Sequence, residues 1–149
     1  MTIRFTNAII AGLAGTVAFD LVGFALTGTF WDIPALIGSK LVPPGNLPVG
    51  VLAHYGNGVL LAVIYAGLSP SLWGSRWVRA LTFVTAETIF GVWLFMLPLL
   101  GLGILGLKAG PMLPLIVLVR HLAYGAALTA LYPLPASHAL PRGAETVRR

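Results

Sequence analysis

The stretch His54-Tyr-Gly-Asn-Gly58-Val-Leu-Leu61-Ala-Val-Ile-Tyr65 returns as His121-Leu-Ala-Tyr-Gly125-Ala-Ala-Leu128-Thr-Ala-Leu-Tyr132, with His, Gly, Leu and Tyr at identical spacing. Steps of four, three and four residues put these side chains on one face of a helix. His54, Gly58 and Tyr65, and equally His121, Gly125 and Tyr132, are therefore expected to face a shared interior. The offset between the copies is 67, from position 54 to position 121, and it also carries Asp20 onto Glu87 and Pro44 onto Pro111. Chance identities are common in a chain this apolar, so the repeat rests on its rare residues. Both membrane carboxylates and both membrane histidines obey the one offset. The expectation is a duplicated helical hairpin, with halves at about 5–68 and 72–135.

Composition sets the solvent. Of 149 residues, 58% are hydrophobic and 9% charged, where a soluble domain carries about 25% charged residues. Such a chain belongs in a bilayer. Apolar runs at 5–27, 49–68, 77–97 and 112–132 are expected to be its spans. At about 1.5 Å per residue the first of them crosses a hydrocarbon layer of roughly 30 Å. A secretory signal is the competing reading of that run, but its 23 residues exceed the apolar core of a signal, roughly 7–15 residues.

The connections differ in kind. Thr29 to Leu47 holds Pro43 and Pro44 and is too broken to span; within it Asp32 is expected to cap a short interfacial helix reaching Ser39, with Pro34 in its first turn. Ser69 to Arg76 is a short turn that predicts spans two and three to be antiparallel neighbours. Leu99 to Pro111 is a glycine-rich apolar connection in the corresponding place of the second half. Residues 133–149, rich in proline and ending in two arginines, predict a disordered tail. Arg4, Arg76, Arg79, Arg142, Arg148 and Arg149 lie on one side, against Lys40 and Lys108 on the other. The positive-inside bias then puts both termini in the cytoplasm of a bacterial inner membrane.

The fold expected is an all-α integral membrane protein: a single transmembrane domain, 1–132, built as a four-helix bundle from two parallel helical hairpins. A pseudo-twofold axis along the membrane normal would relate the hairpins. Asp20, Glu87 and Arg120 must then face inward, because a charged group facing lipid costs several kcal/mol. Within each half the acid and the histidine are level to about one helical turn, so Asp20, His54, Glu87 and His121 are expected to converge.

Three roles fit such a quartet. His54 and His121 could ligate a metal centre on the axis. This would be either a haem b, with Gly56, Gly58 and Gly125 giving the macrocycle room and Arg120 pairing a propionate, or a divalent ion that also takes Asp20 and Glu87. The four groups could instead form the relay of a proton-coupled or ion transporter. The third role is structural, the ion pairs holding together an accessory subunit of a larger membrane complex or a homo-oligomer. Tyr65 and Tyr132, on the histidine face, are expected to anchor packing. Cysteine is absent, which removes thiolate metal sites, and no phosphate-binding loop, nucleophile elbow or His-Glu-x-x-His occurs. The net charge of +5 is spread over termini and connections, so lipid and not nucleic acid is the expected partner.

Together with the two histidine helices, Gly12-Leu-Ala-Gly15-Thr near the start and Phe95-Met-Leu-Pro98-Leu-Leu-Gly101 closing the third span carry a resemblance. Over most of residues 8 to 132 the chain resembles small bacterial four-helix inner-membrane proteins, including the relatives of the YagU inner-membrane protein. The resemblance implies the four-span topology and supplies no catalytic residues.

Overall fold

Asn46 and Ser75 begin two of the long helices in the same way. The Asn46 side-chain oxygen accepts the Val49 N–H at 3.1 Å, with Pro48 in the first turn, and the Ser75 hydroxyl accepts the Val78 N–H at 3.4 Å. Gly28 closes the first helix in the left-handed conformation (φ 71°), its N–H bonded to the Phe24 carbonyl. The computed structural model describes residues 3–133. It contains α1 (Phe5–Thr27), α2 (Asp32–Leu41), α3 (Leu47–Leu68), α4 (Arg76–Leu99) and α5 (Leu113–Leu131), with a 3₁₀ turn at Ile104–Gly106. Among the described residues there is no strand. Helices α1, α3, α4 and α5 are each long and apolar enough to cross a membrane, and their outward side chains, such as Leu21, Leu52, Phe90 and Leu115, are apolar and exposed. The protein is a multi-pass membrane bundle. Of the expected tail, all but Pro133 lies outside the described residues.

Small residues decide which helices meet. Ala8, Ala11, Gly12 and Gly15 make a stripe along α1, and Gly58, Ala62 and Ala66 one along α3. A Cβ on Gly12 would sit 2.8 Å from the Gly58 carbonyl oxygen and from the Val59 Cα, so the two backbones touch. The other flank of α1 takes α5, with the Tyr124 ring lying against Gly15. Helix α4 leans on α5, and α2 folds back on α3, where Gly38 and Gly50 admit the Asn46 and Pro34 carbonyl groups. The order across the bundle is thus α3, α1, α5, α4.

Helices α3 and α4 were expected to be neighbours along their length, and they are not. They meet near the turn that joins them, where the rings of Tyr65 and Phe83 are 5.4 Å apart, and hardly touch elsewhere. The reason is competition for α1: its small-residue stripe draws α3 in, α5 takes its other flank, and α4 finds its apolar partner on α5. Arg79 ties down the joining turn, donating to the Ser69 and Gly74 carbonyls at 3.1 and 2.9 Å. Beyond it α3 and α4 diverge, and a cavity of about 350 Å³ fills the opening.

From Glu87 to Met96, α4 is a π-helix, ten residues long. π turns usually occur singly and often at functional sites. With bonds from residue i to i+5, positions four and five apart share a face. Glu87, Gly91, Val92 and Met96 accordingly all line the cavity.

Candidate functional site

Each histidine has its own acid, and both belong to the same hairpin. His54 Nε2 lies 3.0 Å from Asp20 Oδ1, joining α3 to α1. His121 Nε2 lies 3.4 Å from Glu87 Oε2, joining α5 to α4. The ring of Phe19 touches both imidazoles, with centroids 5.4 Å from His54 and 5.0 Å from His121. The imidazole centres are therefore no farther apart than those two distances laid end to end. Both histidines, Glu87 and Phe19 line the one cavity. The expected quartet is gathered, but as two pairs and not as four ligands around a point. Among the described residues no three of His, Asp and Glu form a set able to hold a metal ion.

The two pairs are chemically unequal. Asp20 accepts twice, from His54 and from the Tyr55 hydroxyl at 3.0 Å on its other oxygen. With Nε2 donating to Asp20, a neutral His54 keeps Nδ1 as a bare acceptor. On the other side, His121 Nδ1 lies 2.7 Å from the Val117 carbonyl. A carbonyl only accepts, so Nδ1 carries the hydrogen and Nε2 of neutral His121 faces Glu87 as a lone pair. Glu87 Oε2 is buried and has no hydrogen-bond partner. Although 3.4 Å is within ion-pair range, the contact lacks hydrogen-bond alignment and is an electrostatic approach only. Two facing lone pairs repel, whereas one added proton turns the repulsion into attraction. The His121–Glu87 approach thus lacks the donor that the His54–Asp20 pair has.

Arg120 is buried and has Asp32 as its partner. Its guanidinium, 2% exposed, forms a two-pronged pair with Asp32 at 3.0 and 2.6 Å, and it stacks over Phe19 at 5.4 Å. It therefore neutralises neither Asp20 nor Glu87. Asp32 was expected to cap α2, but Trp31 holds the N-cap position and no side chain caps the helix; Asp32 is its first residue, its Oδ1 takes the Ile33 N–H at 2.8 Å, and the same carboxylate ties α2 to α5. Gly23 makes the room, since a Cβ there would strike the Arg120 guanidinium, 2.6 Å from Nε.

The remaining expected positions serve packing. Gly58 lies under the Thr16 hydroxyl, and its carbonyl accepts the Tyr124 hydroxyl. Gly125 abuts Val84, with only 2.9 Å from its would-be Cβ to the Val84 side chain, and Gly56 faces open space on the outside of the bundle. Gly58 and Gly125 thus lie at close helix contacts, and Gly56 does not. Tyr65 and Tyr132 are buried with their rings 6.0 Å apart.

The sequence reading gave no site role to Phe19, Tyr55 or Tyr124 and missed the pairing of Asp32 with Arg120. One signal pointed to Asp32. The chain has four acids; with Asp20 and Glu87 matched to histidines and Glu145 in the tail, Asp32 is the acid left for Arg120. Compared with protein-family models, with curated proteins and with solved structures, the chain finds no match.

Proposed function

We propose that this protein is a small proton-coupled membrane transporter whose His121–Glu87 and His54–Asp20 pairs take up and release protons at the cleft between α3 and α4. The observation that carries the reading is the buried, unpartnered Glu87 Oε2 facing a lone pair of His121 at the wall of a cavity. A structural ion pair would satisfy its oxygens; this one waits for a proton or a donor. An ion or haem held by both imidazoles is the weaker reading. Both Nε2 atoms already face carboxylates, and a macrocycle would have to displace the Phe19 contacts. A stoichiometric metal or a haem absorption band, lost equally in His54→Ala and His121→Ala, would restore it.

The hairpins are read as duplicates. The matched acid–imidazole pairs and the meeting of Tyr65 with Tyr132 support this. The twofold relation is broken in one place, since the close α1–α5 seam has no counterpart between α3 and α4. The opening is where the copies diverged. The arginine bias supports cytoplasmic termini in a bacterial inner membrane.

The test is proton uptake into vesicles containing the purified protein, driven by a potassium diffusion potential and read by an internal pH dye. Wild-type uptake should exceed that of protein-free vesicles and fall about tenfold in Glu87→Gln, as expected when a charge-bearing group worth at least 1.4 kcal/mol is removed. Uptake equal in protein-free, wild-type and Glu87→Gln vesicles would overturn the proposal.

A further inference from the structure

The cleft has a direction. Its rim carries Leu60 on α3 and Phe95 on α4, which are 55% and 64% exposed on the outer surface of the bundle. In a bilayer that surface faces hydrocarbon, so the mouth opens sideways into lipid. Its volume, about 350 Å³, falls within the range of small-molecule sites, roughly 300–1,000 Å³. The walls are mostly apolar; the ionisable groups among them are His54, Glu87 and His121, with Asn57, Thr16 and Tyr124 the other polar side chains. A water-soluble substrate would meet the wrong surface at the mouth. A lipid-soluble one meets the right surface throughout.

Charge narrows the class. An acidic head, as in a fatty acid or phospholipid, would approach the Glu87 carboxylate in the cavity wall. It would find no cation to receive it, because Arg120 is closed off by Asp32. The head is therefore uncharged. It must offer oxygen that can both accept and donate, because the Glu87–His121 pair presents a donor when it holds a proton and bare lone pairs when it does not. The rings of Phe19 and Tyr124 in the wall favour a flat head.

We propose that the cleft binds a membrane quinone or quinol: a planar, uncharged ring bearing oxygens and trailing an apolar tail, admitted from the bilayer between α3 and α4. The carbonyl form accepts from the protonated pair, and the hydroxyl form donates to the empty one. The proposal rests on the proton-exchanging reading of the His121–Glu87 pair, and it names the molecule with which that pair exchanges hydrogen bonds.

The test is equilibrium binding of decyl-ubiquinone to the full chain in phosphatidylcholine nanodiscs, read by tryptophan fluorescence against protein held in discs without quinone. Two probes are matched to it. Decylbenzene keeps ring and tail but lacks oxygen, and palmitate carries an anionic head. Saturable binding of decyl-ubiquinone is expected, at least tenfold tighter than either probe, and about tenfold weaker in Glu87→Gln, the loss of one charge-assisted hydrogen bond. Ile64→Phe, at the rim on a partly exposed position, should narrow the mouth and weaken binding without disturbing the fold. Equal affinity for decylbenzene, preference for palmitate, no saturation, or an unchanged affinity in both variants would each overturn the proposal. Quinone binding without proton uptake in vesicles would overturn the transport reading alone. Proton uptake without quinone binding would overturn this inference alone.

Discussion

Replacing Asp32 by Asn removes one charge and keeps the Oδ1 oxygen that accepts the Ile33 N–H, so it isolates the charge opposite Arg120. The guanidinium is 2% exposed; it loses the charge opposite it and the 2.6 Å contact to Oδ2, keeps only the 3.0 Å contact to Oδ1, and its Nε already has no partner. Removing one member of a buried pair costs about 3–5 kcal/mol, because the survivor stays charged and unpaired. The Asp32 side chain is 31% exposed, so water reaches that end of the pair and the lower figure applies, about 3 kcal/mol. That corresponds to roughly a hundredfold shift in the folded fraction. The assay is reversible unfolding in mixed micelles of increasing SDS content, followed by circular dichroism. A double variant, Asp32→Leu with Arg120→Met, should recover most of the loss, since apolar replacement of a whole buried pair is close to neutral. A cost below about 0.5 kcal/mol for Asp32→Asn, the level of an exposed pair, would refute the reasoning, as would a double variant whose cost is the sum of its parts.

Two further substitutions probe the helix contacts. Tyr55→Phe deletes one of the two donors to Asp20 and should lower stability by about 1.5 kcal/mol, the range for a bond to a charged acceptor; an unchanged SDS midpoint would mean that the hydroxyl makes no such bond. Gly12→Leu forces apart backbones that a Cβ alone would bring to 2.8 Å, and should cost at least 1–3 kcal/mol or so, whereas Gly56→Leu meets open space and should be nearly silent. Equal midpoints for the two leucine variants would contradict the α1–α3 crossing.

The all-helical fold and its four spans were legible because hydropathy is a property of the chain alone, read over about twenty residues at a time. The inward direction of His54, Asp20, His121 and Glu87 was legible for a related reason: polar groups in lipid have nowhere else to go. Helix neighbours were not legible. Loop length suggested that α3 and α4 pack together, but the choice was made by the close fit of Gly12 against Gly58 and of Gly15 against Tyr124, which no spacing rule contains. The partner of Arg120 was not legible because Asp32 lies in a connection, and the contact is made across the fold. The π-helix carries no sequence mark that a periodicity search would notice. It sets which residues of α4 line the cleft.

The ten π-helical residues of α4 also make that helix a register device. A stretch wound wider than its neighbours behaves like an ordinary helix with surplus chain threaded into it. Each residue of an α-helix turns the chain by about 100°. Excising Leu94, which points away from the cleft, would let the stretch tighten and swing everything after it, Met96 and Leu97 included, off the cavity wall, while Glu87 stayed facing His121. Insertions and deletions in this one segment would thus reshape the cavity lining without moving Glu87.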